Sequence, residues 1–176
     1  MRRVLVFLST LAVGAGLWTI PAAAAPPACD ITWGSLDKSS SNYSPATVVD
    51  VRAGRHECFD RLVVDLAGPV AGYRVGYVDT VTMDGSGAAV PLRGGAFLQV
   101  AVQAPAHDDA GAGTYRPGQP AELVGVGDYP AFRQVAWAGS FEGQTTLGLG
   151  VRARLPFRVL TLDNPARVVI DVAHAW

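Results

Sequence analysis

Arg61-Leu62-Val63-Val64-Asp65-Leu66 is echoed near the C-terminus by Arg167-Val168-Val169-Ile170-Asp171-Val172. In a strand, alternate side chains share a face. Leu62, Val64 and Leu66 in the first stretch, and Val168, Ile170 and Val172 in the second, therefore point toward a core. The opposite positions read Arg-x-Val-x-Asp both times. Antiparallel pairing with Val63 opposite Val169 would set Arg61 against Asp171 and Asp65 against Arg167, two ion pairs worth about 0.2–1 kcal/mol each. Without that pairing, both stretches are simply good strands with charged outer faces.

Working outward, further strand-like runs occupy 31–33, 47–52, 73–78, 97–102, 123–126, 132–141, 145–152 and 157–162. Gly and Pro punctuate them. Gly68-Pro69 ends one strand, and Asp84-Gly85-Ser86-Gly87 is a turn signal. The Ser-rich stretch 38–45 reads as a loop, and 105–120 as a long, mobile one. No amphipathic helix is visible, and scattered prolines disfavour long helices. Regular strand spacing with turn residues between predicts an all-β sandwich or barrel, with little or no helix outside the N-terminal leader.

That leader begins Met1-Arg2-Arg3, continues through an apolar run at 4–20, and ends in Pro21 and small residues at 22–25. Charge, apolar core and small-residue cleavage site are the order of a secretory signal peptide. The expected cut falls after Ala24. A retained anchor is the competing reading, but a spanning helix needs roughly 20 apolar residues and this run is slightly short. Residues 25–45 then form an N-terminal extension and 46–176 the β domain. About 150 residues remain after cleavage, enough for one core. The mature chain is expected to be secreted or extracytoplasmic, with no integral membrane span.

The full chain carries 14 Lys and Arg against 15 Asp and Glu. Losing Arg2 and Arg3 brings the mature charge to about −3, which argues against nucleic acid as a partner. Cys29 and Cys58 are the two cysteines. In an oxidising compartment they are expected to form a disulfide, closing a loop of roughly 30 residues worth about 3 kcal/mol.

The ending Phe157-Arg158-Val159-Leu160-Thr161-Leu162-Asp163-Asn164-Pro165-Ala166-Arg167, closing on Asp171, resembles that of AMIN domains: a strand, a Leu-x-x-Pro-x-Arg turn and an apolar strand. The stretch 61–75 resembles an earlier AMIN strand pair. With 54–61 and Ser140-Phe141-Glu142-Gly143, the region from Cys29 to His174 is similar to the AMIN-like domain of actinobacterial secreted proteins and lipoproteins. The resemblance implies a β-sandwich and a non-catalytic, envelope-associated role, touching peptidoglycan or a cell-wall protein. AMIN domains accompany amidases and envelope machines. No such segment follows here, so the expectation is a stand-alone domain.

Catalytic hardware is sparse. No Gly-x-Ser-x-Gly elbow is present, and Asp84-Gly85-Ser86-Gly87 fits a hairpin turn better than a nucleophile turn. His107-Asp108-Asp109 reads as solvated loop rather than a metal grip, and no metal or cofactor is expected. His56-Glu57 with Asp60 reads as a polar turn before a general acid/base site, and Glu142 as structural before a glycosidase acid. The alternatives to a binding module are a small hydrolase using His56 or Glu142, and an inhibitor-like factor presenting 105–120. For binding, Arg55, Arg61 and Arg167 could hold peptide carboxylates, with His56 beside them. Tyr115 and Tyr129 are the aromatic candidates expected at the surface, whereas Trp33 and Trp137 are expected in the core.

Overall fold

The computed structural model describes residues 29–176; the signal-peptide reading and its cleavage site lie outside the described residues. The two echoed stretches become β3 (Phe59–Ala67) and β9 (Ala166–Ala173), and they pair antiparallel. Val63 faces Val169, Arg61 faces Asp171 and Asp65 faces Arg167, the register that the charge pattern suggested. Of the two ion pairs, one forms. Arg61 Nε and Nη2 donate to the two oxygens of Asp171 at 2.6 and 2.9 Å. Asp65 is instead taken by Arg52, at 2.5 and 3.0 Å, from β2 (Thr47–Arg55) on the other side of β3. Arg167 turns to the Pro165 carbonyl at 3.1 Å.

β8 (Phe157–Asp163) completes this sheet, in the order β2-β3-β9-β8. The second sheet holds β1 (Lys38–Ser40), β4 (Tyr73–Val78), β5 (Ala96–Val102), β6 (Phe132–Phe141) and β7 (Gln144–Val151), ordered β1-β4-β5-β7-β6. Neighbouring strands in both sheets run antiparallel, and there is no helix among the described residues. Leu62, Val64, Val168, Ile170 and Val172 meet Leu98, Val100, Phe132, Val135, Leu147 and Leu149 in one core. Burying each such side chain contributes about 1.5–3 kcal/mol. The fold is an all-β sandwich, one of the two architectures that the strand spacing allowed and the one that the family resemblance implied.

Three local expectations fail. Residues 31–33 are irregular, because Trp33 packs sideways on Phe59 instead of joining a sheet. The Ser-rich loop supplies β1, which has no inward apolar pattern and is recruited by pairing with β4. Residues 123–126 are not a strand; Leu123 donates to the Val135 carbonyl at 2.8 Å, and the chain then leaves β6. The 105–120 loop is internally organised. Asp108 accepts from the Ala110 and Ala112 amides at 3.0 and 2.8 Å, and Thr114 Oγ1 donates to the Val48 carbonyl at 2.7 Å. The Cys29–Cys58 disulfide is formed, with Cα atoms 5.6 Å apart. It fastens the segment that carries Trp33 to the start of β3.

Candidate functional site

The outward face of the four-stranded sheet is not a uniformly polar surface. Its centre is Asp171, whose side chain is fully buried although it points away from the core. A carboxylate out of water needs partners on both oxygens. Arg61 supplies two hydrogen bonds, and Arg158 Nε donates to Oδ2 at 2.8 Å from β8 on the other flank. The Asp171 hydrogen bond raises the Arg61 pKa above its ordinary value, against an opposing effect of desolvation. Two guanidiniums around one carboxylate leave a net positive charge. Each also keeps N–H donors that Asp171 does not use. The Arg61 and Arg158 side chains are 27% and 35% exposed, so each is partly open to solvent.

Aromatic rings pack against the pair. The Arg158 guanidinium lies 4.3 Å from the Trp33 ring centre and 5.4 Å from that of Phe59, and Arg61 lies 5.2 Å from Phe59. Trp33 meets Phe59 edge-on at 5.7 Å, and His56 stacks on Phe59 at 4.5 Å. Cation–π contacts of this kind add roughly 0.5–1 kcal/mol at exposed sites. On the β2 side, Gly54 stands opposite Arg61. A Cβ there would meet only His56 Nε2, at 3.8 Å, so that flank of Arg61 is open. A cationic recess of two guanidiniums beside Phe59, His56 and Trp33 suits a carboxylate, which accepts paired N–H bonds.

The sequence-predicted residues divide as follows. His56 and Arg61 come together in this recess. Arg167 shares the sheet face but sits at the far end of it, opposite Asp65 and Leu162. Arg55 turns aside to Asp128, 3.3 Å from its carbonyl and 3.6 Å from its carboxylate. Tyr129 and Tyr115, expected exposed, are half-buried: Tyr129 stacks on Phe132 and Tyr115 packs on Trp137. Burial foremost raises the pKa of both phenols. Trp33, expected in the core, lies on the outer face. Arg158 was missed, although a signal exists. The two-residue turn Asn164-Pro165 between β8 and β9 fixes their register and sets Arg158 directly opposite Asp171.

The fold does not bring His56, Asp60 and Glu142 together. Asp60 points to the core side, where it accepts from the Ala131 and Phe132 amides at 2.6 and 2.9 Å and contacts His174 Nε2 at 2.9 Å. His56 sits on the other face with Phe59. Glu142, at φ 49° in the β6–β7 turn, lines a cleft with Tyr43, Gln103 and Asp109 that His56 does not reach. Among the described residues, no cluster of three His, Cys, Asp or Glu side chains could hold a metal.

With this geometry in place, the family comparison is decisive: the model of the AMIN-like domain matches residues 46–174. The chain belongs to the AMIN-like domain family. No curated protein and no solved structure matches it. AMIN-like domains are generally non-catalytic binding modules of extracytoplasmic cell-envelope proteins, which points this AMIN-like chain to a cell-wall-related partner. Among the described residues, no helix is long and apolar enough to cross a membrane.

Proposed function

We propose that this AMIN-like domain is a secreted, non-catalytic module that binds peptidoglycan, seating a stem-peptide carboxylate on Arg61 and Arg158. The observation that carries the reading is the shared, buried Asp171. It fixes two partly exposed guanidiniums side by side on an aromatic bed and leaves them one positive charge in excess. The chain as a whole carries a formal charge of −1, so this local cationic recess is set against the overall balance. His56 and Trp33 bracket the recess, and either can cover the sugar or peptide flank of a bound fragment.

Co-sedimentation of the disulfide-bonded protein with purified sacculi, at low and high salt, tests this. Retention in the pellet is expected at low salt and, in part, at high salt. Arg158→Gln removes one positive charge while Arg61 still pairs with Asp171, and it should weaken retention about tenfold. Gly54→Leu keeps both charges but fills the open flank of Arg61, and it should weaken retention as well. Wild-type protein left in the supernatant at low salt would remove the reading, as would undiminished binding by both variants.

A further inference from the structure

Two sheets have four outer edges, and three of them are guarded among the described residues. Along β6, Leu123 donates to the Val135 carbonyl and Trp137 donates to the Pro120 carbonyl, at 2.8 and 2.7 Å. At β2, Val48 donates to the Pro105 carbonyl at 2.8 Å and accepts from Thr114 Oγ1. β1 is only three residues long. β8 differs. It pairs with β9 on one side, and on the other the Phe157 amide donates to the Gly34 carbonyl at 3.1 Å. That bond sets the phase of the strand. Backbone groups alternate in direction, so Val159, Thr161 and Asp163 turn theirs away from β9. The span Phe157–Asp163 contains no Lys, no Pro and no bulge, and its two charged residues, Arg158 and Asp163, lie near its ends. Leu160 and Leu162, exposed at 36% and 38%, stand on its outward face.

We propose that this edge pairs with the same edge of a second copy, antiparallel, about a two-fold axis through Thr161. Gly34 occupies the edge at Phe157, which confines a partner strand to positions 159–163. Centring on Thr161 then joins all three outward-turned residues of each copy. Val159 lies opposite Asp163 of the second copy, and Thr161 opposite its own equivalent. Leu160 lies opposite Leu162 of the second copy, in the non-hydrogen-bonded positions where side chains approach most closely. The four leucines extend an apolar strip already begun by Val63 and Val169, which are buried on this outward face at 5% and 1% exposure. The one charge in the window, Asp163, faces Val159 and not itself. A second copy suits the edge because its 159–163 window has the same length, sets Leu160 against Leu162 twice, and keeps the two Asp163 carboxylates at opposite ends of the pairing. Such an isologous contact places both outer faces on the same side of a continuous sheet. So short a strand pair falls below the roughly 1,200 Å² of a stable interface, so the dimer is weak and concentration-dependent.

Sedimentation equilibrium of the disulfide-bonded protein from about 10 µM to about 1 mM tests the proposal. The average mass should climb from monomer toward dimer across that range. Thr161→Pro removes an edge N–H that the β8–β9 ladder does not use, so the fold should survive while association weakens at least about tenfold. Leu162→Lys alters only an exposed side chain and should act in the same direction. Thr161→Cys should give a cross-linked dimer under mild oxidation, since directly opposed hydrogen-bonded residues have Cα atoms about 5.5 Å apart. Protein that stays monomeric at the highest concentration, leaving the edge to a strand of another chain, overturns the proposal. So does a dimer that forms equally well in folded Thr161→Pro and Leu162→Lys.

Discussion

Asp171 and Asp65 occupy equivalent places in the echoed strands, yet their surroundings give them different roles. Asp171 is fully buried and held by Arg61 and Arg158, whereas the Asp65 side chain is 17% exposed and its partner Arg52 is 49% exposed. Removing a partner from a buried charge strands that charge, while a solvated pair is largely replaced by water. Arg61→Ala is therefore expected to cost about 2–3 kcal/mol in urea unfolding, and Arg52→Ala no more than about 1 kcal/mol. Equal losses would contradict this account of Asp171. Asp84 provides the pH dependence. Its Oδ2 is buried without a hydrogen-bond partner, and burial, partly offset by hydrogen bonds from Thr146 and Gln144, raises its pKa above 3.8. A carboxyl with a raised folded-state pKa binds its proton more tightly when folded. It therefore favours the fold as pH falls through that pKa and opposes it once ionised. Asp84→Asn should raise the melting temperature near pH 7, and the gain should shrink toward about pH 4. A gain that is the same at both pH values would place its origin elsewhere.

At the scale of the element, the segment before β1 has no regular structure but carries a ring of the recess. Trp33 depends on two fastenings, the Cys29–Cys58 bond and the hydrogen bond from the Phe157 amide to the Gly34 carbonyl. Replacing both cysteines by serine is expected to cost about 3 kcal/mol on the chain-entropy estimate. It should also loosen Trp33 from Arg158, shifting tryptophan emission to the red before global unfolding begins. An unchanged spectrum would show that the Gly34 bond alone seats the ring. The strands legible in the sequence are those with an inward apolar side, such as β3, β4, β6 and β9, because alternation records burial directly. β1, whose sequence is Lys-Ser-Ser, carries no such record, and its membership is decided by β4. The same reasoning explains the site. Arg61 and Asp171 were readable as a cross-strand pair from the echo. Arg158 and Trp33 enter through a hairpin register and a disulfide-bound segment, which act across the fold. Arg52 displaced Arg167 at Asp65 for a similar reason: the order of strands is not written in any one of them.

For the molecule as a whole, the consequence of these edges and faces is valency. A two-fold contact at β8 would set two Arg61–Arg158 recesses on one side of a continuous sheet, facing the same surface. A sacculus presents many stem-peptide carboxylates, so a second recess binds as an intramolecular step once the first is engaged. Such coupling strengthens attachment by roughly 10²–10⁴-fold without any new contact to the ligand, provided the spacing allows both to engage. A soluble single stem peptide offers no second carboxylate array and should be indifferent to dimerisation. Thr161→Pro is therefore expected to reduce sacculus retention about tenfold or more while leaving the affinity for one stem peptide unchanged. Arg158→Gln should reduce both. Salt separates the contributions further, because screening at high ionic strength weakens the guanidinium–carboxylate attraction but leaves the contacts of Trp33 and His56 largely intact. If Thr161→Pro lowers the affinity for the single peptide as much as for the sacculus, the variant has damaged the recess itself. If neither falls while the dimer is lost, each recess holds the wall independently and the paired sheet has another use.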